Sequence, residues 1–152
     1  MRPRISAKAI IIENGRLLAI HIREGNASWY ILPGGGQKHG ESLMEALRRE
    51  CREELGAEIE PGRVRFIRDY IGRHHEFAAT DGEKHQVEIM FECRLATPLA
   101  PEAATHPDGG QLGTEWVPLK ELEARGFYPK VLARLLRKRD LAATPVYLGD
   151  VN

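Results

Sequence analysis

Residues Leu32 to Gly56, LPGGGQKHGESLMEALRRECREELG, join a short apolar strand to an acid- and arginine-rich helix through a proline and three glycines. Ser42, followed three residues later by Glu45, forms a capping box, so the helix starts there. Gly56 after Leu55 is the usual C-terminal stop. On a helical wheel Leu43, Met44, Leu47, Cys51 and Leu55 fill one arc of roughly 120°, the core stripe. Glu50, Glu53 and Glu54 fill an adjoining arc that overlaps the stripe's edge. Glu45, Arg48, Arg49 and Arg52 take the remaining side.

Three carboxylates beside a buried face raise one another's pKa and lose hydration. Pairing with arginine offsets that, and Arg49 is adjacent in sequence. A hard divalent cation, Mg²⁺ or Mn²⁺, offsets it equally well, since such ions prefer clustered carboxylates. The plain alternative is a solvated helix laced with ion pairs. Gly34, Gly35 and Gly36 weigh toward a site, because glycine lets backbone approach a ligand.

Gly35, five residues, Glu41, seven residues, Arg49-Glu50-Cys51, one residue, Glu53-Glu54, one residue and Gly56-Ala57: this pattern resembles the Nudix box. Every charged and glycine position of that signature is present; Cys51 and Ala57 stand where a larger aliphatic residue is usual. So many fixed positions within 23 residues make the resemblance specific. It implies an α/β fold, the Nudix-type α/β/α sandwich with a mixed, partly antiparallel sheet, and one domain over residues 1–152.

The resemblance also implies a pyrophosphohydrolase that cleaves the diphosphate linkage of a small-molecule nucleoside diphosphate derivative. Mg²⁺ or Mn²⁺ would be held by Glu50, Glu53, Glu54 and the Gly34 carbonyl, with Glu50 a ligand or the general base. Glu50, Glu53 and Arg49 form the implied catalytic set, in which Arg49 orients an acid; Glu41 supports the loop. Glu115, just before Trp116, matches a position that in the family can hold a further acidic ligand or a loop base. Its plain alternative is an exposed strand-end acid. No extra N-terminal domain of the kind common among ADP-ribose hydrolases is expected at this length, an expectation that points toward nucleoside triphosphates or dinucleoside polyphosphates. A Nudix-like module that binds a nucleotide metabolite and regulates a partner without turnover is the alternative, but it has no need of all three helix glutamates.

The remaining chain narrows the surroundings of such a site. With 22 basic and 22 acidic residues there is no global basic field, so no nucleic-acid partner is expected. No stretch has membrane-spanning length, and the N-terminal apolar run is too short for a signal peptide. Cys51 and Cys93 match neither a metal spacing nor a disulfide framework, so a cytoplasmic protein is expected. Nothing in the sequence marks a subunit interface, though family members are often homodimers.

Ile5–Ile12 and Arg16–Arg23 read as strands about an Asn14-Gly15 hairpin turn, and Trp29–Leu32 as a third. Trp29 and Tyr30 are candidates to contact a base, as are Tyr70 and Phe77; an aromatic beside a strand is also an ordinary core residue. Glu58–Ile71, interrupted at Pro61-Gly62, pairs with His85–Leu95, whose alternation buries one face. Near the open end of that hairpin, Arg73 and Lys84 have the sign and position to bind phosphate. His74, His75 and His85 lie there too, in a spacing that matches no zinc signature. Thr97–Gly113 reads as a loop, Tyr128–Arg139 as an amphipathic helix, and Asp140–Asn152 as a tail that packs or pairs.

Overall fold

The structure is a computed structural model that describes residues 2–104, 110–138 and 141–152. Residues 105–109 of the expected loop, Arg139 at the expected helix end and Asp140 at the start of the tail lie outside the described residues.

The described strands are β1 (Arg4–Glu13), β2 (Arg16–Glu24), β3 (Ala27–Ile31), β4 (Gly34–Gly36), β5 (Ile59–Ile71), β6 (His85–Leu95), β7 (Gln111–Pro118) and β8 (Tyr147–Asp150). The helices are α1 (Leu43–Leu55), the single-turn α2 (Ala78–Asp81) and α3 (Lys130–Leu136). They build one mixed sheet in the order β3-β2-β1-β6-β5-β8, with β4 also on β1 and β7 also on β2. The β1/β6 and β5/β8 pairs are parallel and the others antiparallel. Asn14 and Gly15 both take positive φ, as a two-residue hairpin turn with the strands' own twist requires.

Alternation along the central strands sends side chains into two cores. Ala7, Ala9, Ile11, Leu18 and Ile20 meet Leu47, Cys51 and Leu55 of α1. Ile10, Leu17 and Ala19 meet Leu132, Leu135 and Leu136 of α3 on the opposite face. Helix, sheet and helix thus form the expected α/β/α sandwich.

Three local expectations change, and the open alternative for the tail is decided. The glycine stretch is a strand, because its backbone pairs Gly34, Gly35 and Gly36 with Lys8, Ala7 and Ser6. β6 is buried on both faces: it lies between β1 and β5, so Met90 enters the α3 core while Phe91 and Cys93 enter the α1 core. α3 starts at Lys130 because Pro129 is extended at its N-cap. Among described tail residues, Tyr147–Asp150 pairs with β5.

Candidate active site

Local chemistry aims the box helix. Ser42 and Glu45 exchange reciprocal capping hydrogen bonds at 3.2 and 2.7 Å, and Gly56 closes the other end at φ 60°. Of the wheel's core stripe, Leu47, Cys51 and Leu55 are buried and Leu43 and Met44 partly so, while Glu50 and Glu54 reach β4 along its edge and Glu53 meets Arg49.

The glycines of β4 permit that approach. A Cβ on Gly35 would lie 2.6–2.7 Å from the carboxyl atoms of Glu50. At Gly34 a Cβ would collide with the Ala7 backbone carbonyl, and its φ of 123° excludes ordinary side chains. The Gly34 N–H donates to Glu54 Oε1 at 2.7 Å, and Gln111 Nε2 donates to Glu54 Oε2 at 2.9 Å. Burial pushes the Glu54 carboxyl up to about 7, against the opposing pull of Lys8 and those two donors.

Arg49 ties the acids together. Its guanidinium meets Glu41 at 2.5 and 3.0 Å, Glu50 at 2.9 Å, Glu53 at 3.4 Å and the Gly36 carbonyl at 3.0 Å. The Arg49 hydrogen bond holds Glu41 down at about 2, and Glu41 in turn accepts the Lys38 N–H at 2.9 Å. Arg49 is therefore the fork that sets helix, loop and glycine strand in one arrangement.

Beside this centre lies a cleft of about 580 Å³. Trp29, Tyr70, Phe77 and Tyr128 give it aromatic walls. Its cations are Lys8, Arg68 and Lys84, and Glu88 is on its floor. Arg68 Nε pairs with buried Glu88 at 2.7 Å. Despite burial, the Arg68 and Lys8 charges and the Arg68 hydrogen bond hold Glu88 below the usual carboxylate range. Arg68 also donates to the Val151 carbonyl at 2.6 Å and to Asn152 Oδ1 at 3.1 Å, which brings the tail to the cleft wall.

The structure gathers some expected site residues and separates others. Glu50, Glu53, Glu54, Arg49 and Gly34 belong to one constellation. Trp29 and Lys84 line the cleft, Lys84 in an ion pair with Asp81 at 2.7 Å. Tyr30 does not line it. Strand alternation turns Tyr30 away from Trp29 and Ile31, into the α3 core, where its hydroxyl donates to Glu115 and accepts from Arg125 at 2.9 Å. Glu115 follows it: paired with Tyr30 and Arg125, it is not joined to the helix glutamates. Gln111, four residues earlier on β7, makes that link instead. Arg73 is exposed outside the cleft, its Nε 3.4 Å from His74 Nε2. His74 and His75 both bind Asp150 at 2.7 Å, and His85 binds Asp69 at 3.0 Å, so these rings fasten the tail and its neighbouring strand.

Gln111, Lys8 and the Arg68–Glu88 pair were not singled out by sequence. Gln111 follows two glycines with no local signal, whereas Lys8 is the sole charge within the apolar run Ile5–Ile12 and could have been noticed.

The donor set fits a hard cation: carboxylate oxygens of Glu50, Glu53 and Glu54 beside a backbone carbonyl on a strand that side chains would obstruct. The Lys8 ammonium, 3.2 Å from the Gly34 oxygen, shows that this carbonyl accepts positive charge. Among the described residues no group of three or more His, Cys, Asp or Glu side chains is arranged to hold a metal ion, so these carboxylates would have to turn to share one. Arg49 contacts Glu50 and Glu53, and Glu54 is turned to Gly34 and Gln111.

A family model described as the NUDIX domain matches residues 2–137. The chain belongs to the Nudix family. It is an enzyme of pyrophosphohydrolase type, and a divalent metal is general to the family. Among curated proteins it is similar to a nucleoside triphosphatase, NudI, of Enterobacter sp. (strain 638). The two are 34% identical over 101 residues, covering 63% of this chain and 72% of that one. A shorter match, 51% identical over 39 residues, is to a human 8-oxo-dGDP phosphatase, covering 26% of this chain and 12% of that one. Among solved structures, a MutT NUDIX hydrolase from Burkholderia pseudomallei superposes with TM-score 0.70 at 25% identity, covering 91% of this chain and all of that one. No helix among the described residues is long and apolar enough to cross a membrane.

Proposed function

We propose that this chain hydrolyses the diphosphate linkage of a nucleoside diphosphate derivative, with nucleoside triphosphates the favoured class, in a reaction dependent on Mg²⁺ or Mn²⁺. The observation that carries this reading is the Glu50 carboxylate against Gly35, beside Glu54 on Gly34 and Glu53 on Arg49. Nudix relatives named for nucleoside triphosphate and 8-oxo-dGDP chemistry support the substrate class. A cytoplasmic location accords with two buried free cysteines.

Glu50, Glu53, Glu54 and the Gly34 carbonyl would hold the ion. When bound, such an ion neutralises phosphate oxygens and lowers the pKa of a water ligand. Arg49 fixes Glu50 and Glu53 in orientation, so little reorganisation remains at the moment of reaction. Glu50 is the favoured acceptor of the attacking water's proton. Trp29, Phe77 and Tyr128 offer faces on which a base stacks.

The test is a panel of canonical and oxidised nucleoside triphosphates, ADP-ribose, diadenosine polyphosphates, sugar nucleotides and NADH, with products identified by mass. Turnover should require metal, vanish with chelator, and fall at least about 100-fold in kcat for Glu53→Gln with the fold intact. A Glu53→Gln enzyme of near-normal turnover would overturn the assignment of Glu53. Silence across the panel, with nucleotide still raising the melting temperature, would favour a binding module.

A further inference from the structure

Three cations line the cleft, and two of them are neutralised. Arg68 is paired with Glu88 and Lys84 with Asp81. Lys8 differs. Among the described residues it has no carboxylate within ion-pair distance, and its hydrogen-bond partner is a neutral group, the Gly34 carbonyl at 3.2 Å. An ammonium has three donors, so two remain available. Holding an ammonium on a half-buried central strand with no carboxylate in direct contact is costly, and an anion that reaches it offsets that cost.

Its position selects that anion. In the register of β1, Lys8 stands opposite Gly34 on one side and Met90 on the other. Its charge favours the ionised forms of both Glu54, on the helix side, and Glu88, on the cleft floor. Lys8 therefore stands where the aromatic cleft meets the glycine strand. A nucleoside seated in the cleft would bring its first phosphates there. A divalent cation at the Gly34 carbonyl would compete with the ammonium for one oxygen, and their repulsion would turn Lys8 toward the phosphate.

We propose that Lys8 is a substrate-binding residue whose ammonium passes from the Gly34 carbonyl to a phosphate oxygen of the diphosphate, bridging the cleft to the box glutamates. The inference rests on the diphosphate-hydrolase reading above. It adds a residue that neither the box nor the sequence analysis assigned.

The experiment uses the full chain as wild type, Lys8→Gln and Lys8→Arg. Glutamine keeps a donor for the Gly34 carbonyl but has no charge, so it separates phosphate binding from support of the strand. Affinities are measured by calorimetry for α,β-methylene ATP and for adenosine, and Mn²⁺ binding to the nucleotide-free protein by electron paramagnetic resonance. Lys8→Gln should weaken binding of the phosphate analogue at least about 10-fold, leave adenosine and Mn²⁺ binding unchanged, and be largely rescued by Lys8→Arg. Unchanged analogue affinity in Lys8→Gln would overturn the proposal. So would an equal loss for adenosine, or a collapse of Mn²⁺ binding, either of which would mark a structural role. Wild-type turnover is scored separately. A Lys8-dependent loss of analogue binding in a protein that hydrolyses nothing would uphold Lys8 and reject the hydrolase reading.

Discussion

The Gly34 N–H donates to Glu54 Oε1 at 2.7 Å, so a single carboxylate pins the glycine strand to the box helix. Gln111 holds the other oxygen, and burial raises this carboxyl to about 7. The folded protein thus binds a proton over a range, from about pH 4.5 to 7, in which the unfolded chain has released it. Stability of the metal-free protein must fall as pH rises through that window, by on the order of 3 kcal/mol in full. In chelator, Glu54→Gln should therefore melt higher than wild type at pH 8, with the gap closing by pH 5. A gap independent of pH would refute the linkage. Added metal should favour wild type and not the variant.

Gly35 and Gly34 predict opposite failures from neighbouring positions. A methyl at Gly35 meets the end of the flexible Glu50 side chain, which can swing aside. Gly35→Ala should keep its melting temperature within a few degrees while losing about 10-fold or more in kcat. A methyl at Gly34 meets backbone, at a φ that disfavours any side chain. Gly34→Ala should lose stability by about 2 kcal/mol or more, read by urea unfolding. Equal stability losses would mean that Glu50 is not free to move.

Arg49 contacts Glu41, Glu50, Glu53 and the Gly36 carbonyl with one planar fork. Lysine keeps the charge but reaches one or two of these partners. Arg49→Lys should lower kcat about 10- to 100-fold and cost about 1–2 kcal/mol in stability, unlike an ordinary surface exchange. Steady-state kinetics alongside thermal melts decides it; retention of full kcat would leave the fork a purely structural clasp.

The box helix was legible because its determinants are local. The cap, the stripe and the terminal glycine all act within a turn or two, and they place Glu50, Glu53 and Glu54 before any tertiary contact is known. Long-range pairing hides the rest. Three glycines look like a connection until β1 pairs with them, and Tyr147–Asp150 has no partner until β5 is beside it. Tyr30 and Glu115 share one difficulty: each side chain's face depends on strand register, and a shift of one residue exchanges the two faces. The histidines' role required knowing that Asp150, some 75 residues away, returns to His74 and His75.

The Arg68 guanidinium neutralises Glu88 while also holding the Val151 carbonyl and Asn152 Oδ1. Both members of the ion pair are less than a tenth exposed, so losing one strands the other. Arg68→Met retains much of the hydrophobic stem but leaves a buried carboxylate without its ion-pair partner and the tail carbonyl without that donor. The expected cost is about 3–5 kcal/mol by urea unfolding at pH 7, shrinking as the pH is lowered and Glu88 takes up a proton. Arg68→Met combined with Glu88→Leu should recover most of it, since a matched apolar pair has no stranded charge. Recovery without return of substrate affinity would show that the pair also shapes the cleft floor; no recovery would place the loss in the tail contacts, where Val151 and Asn152 meet Arg68.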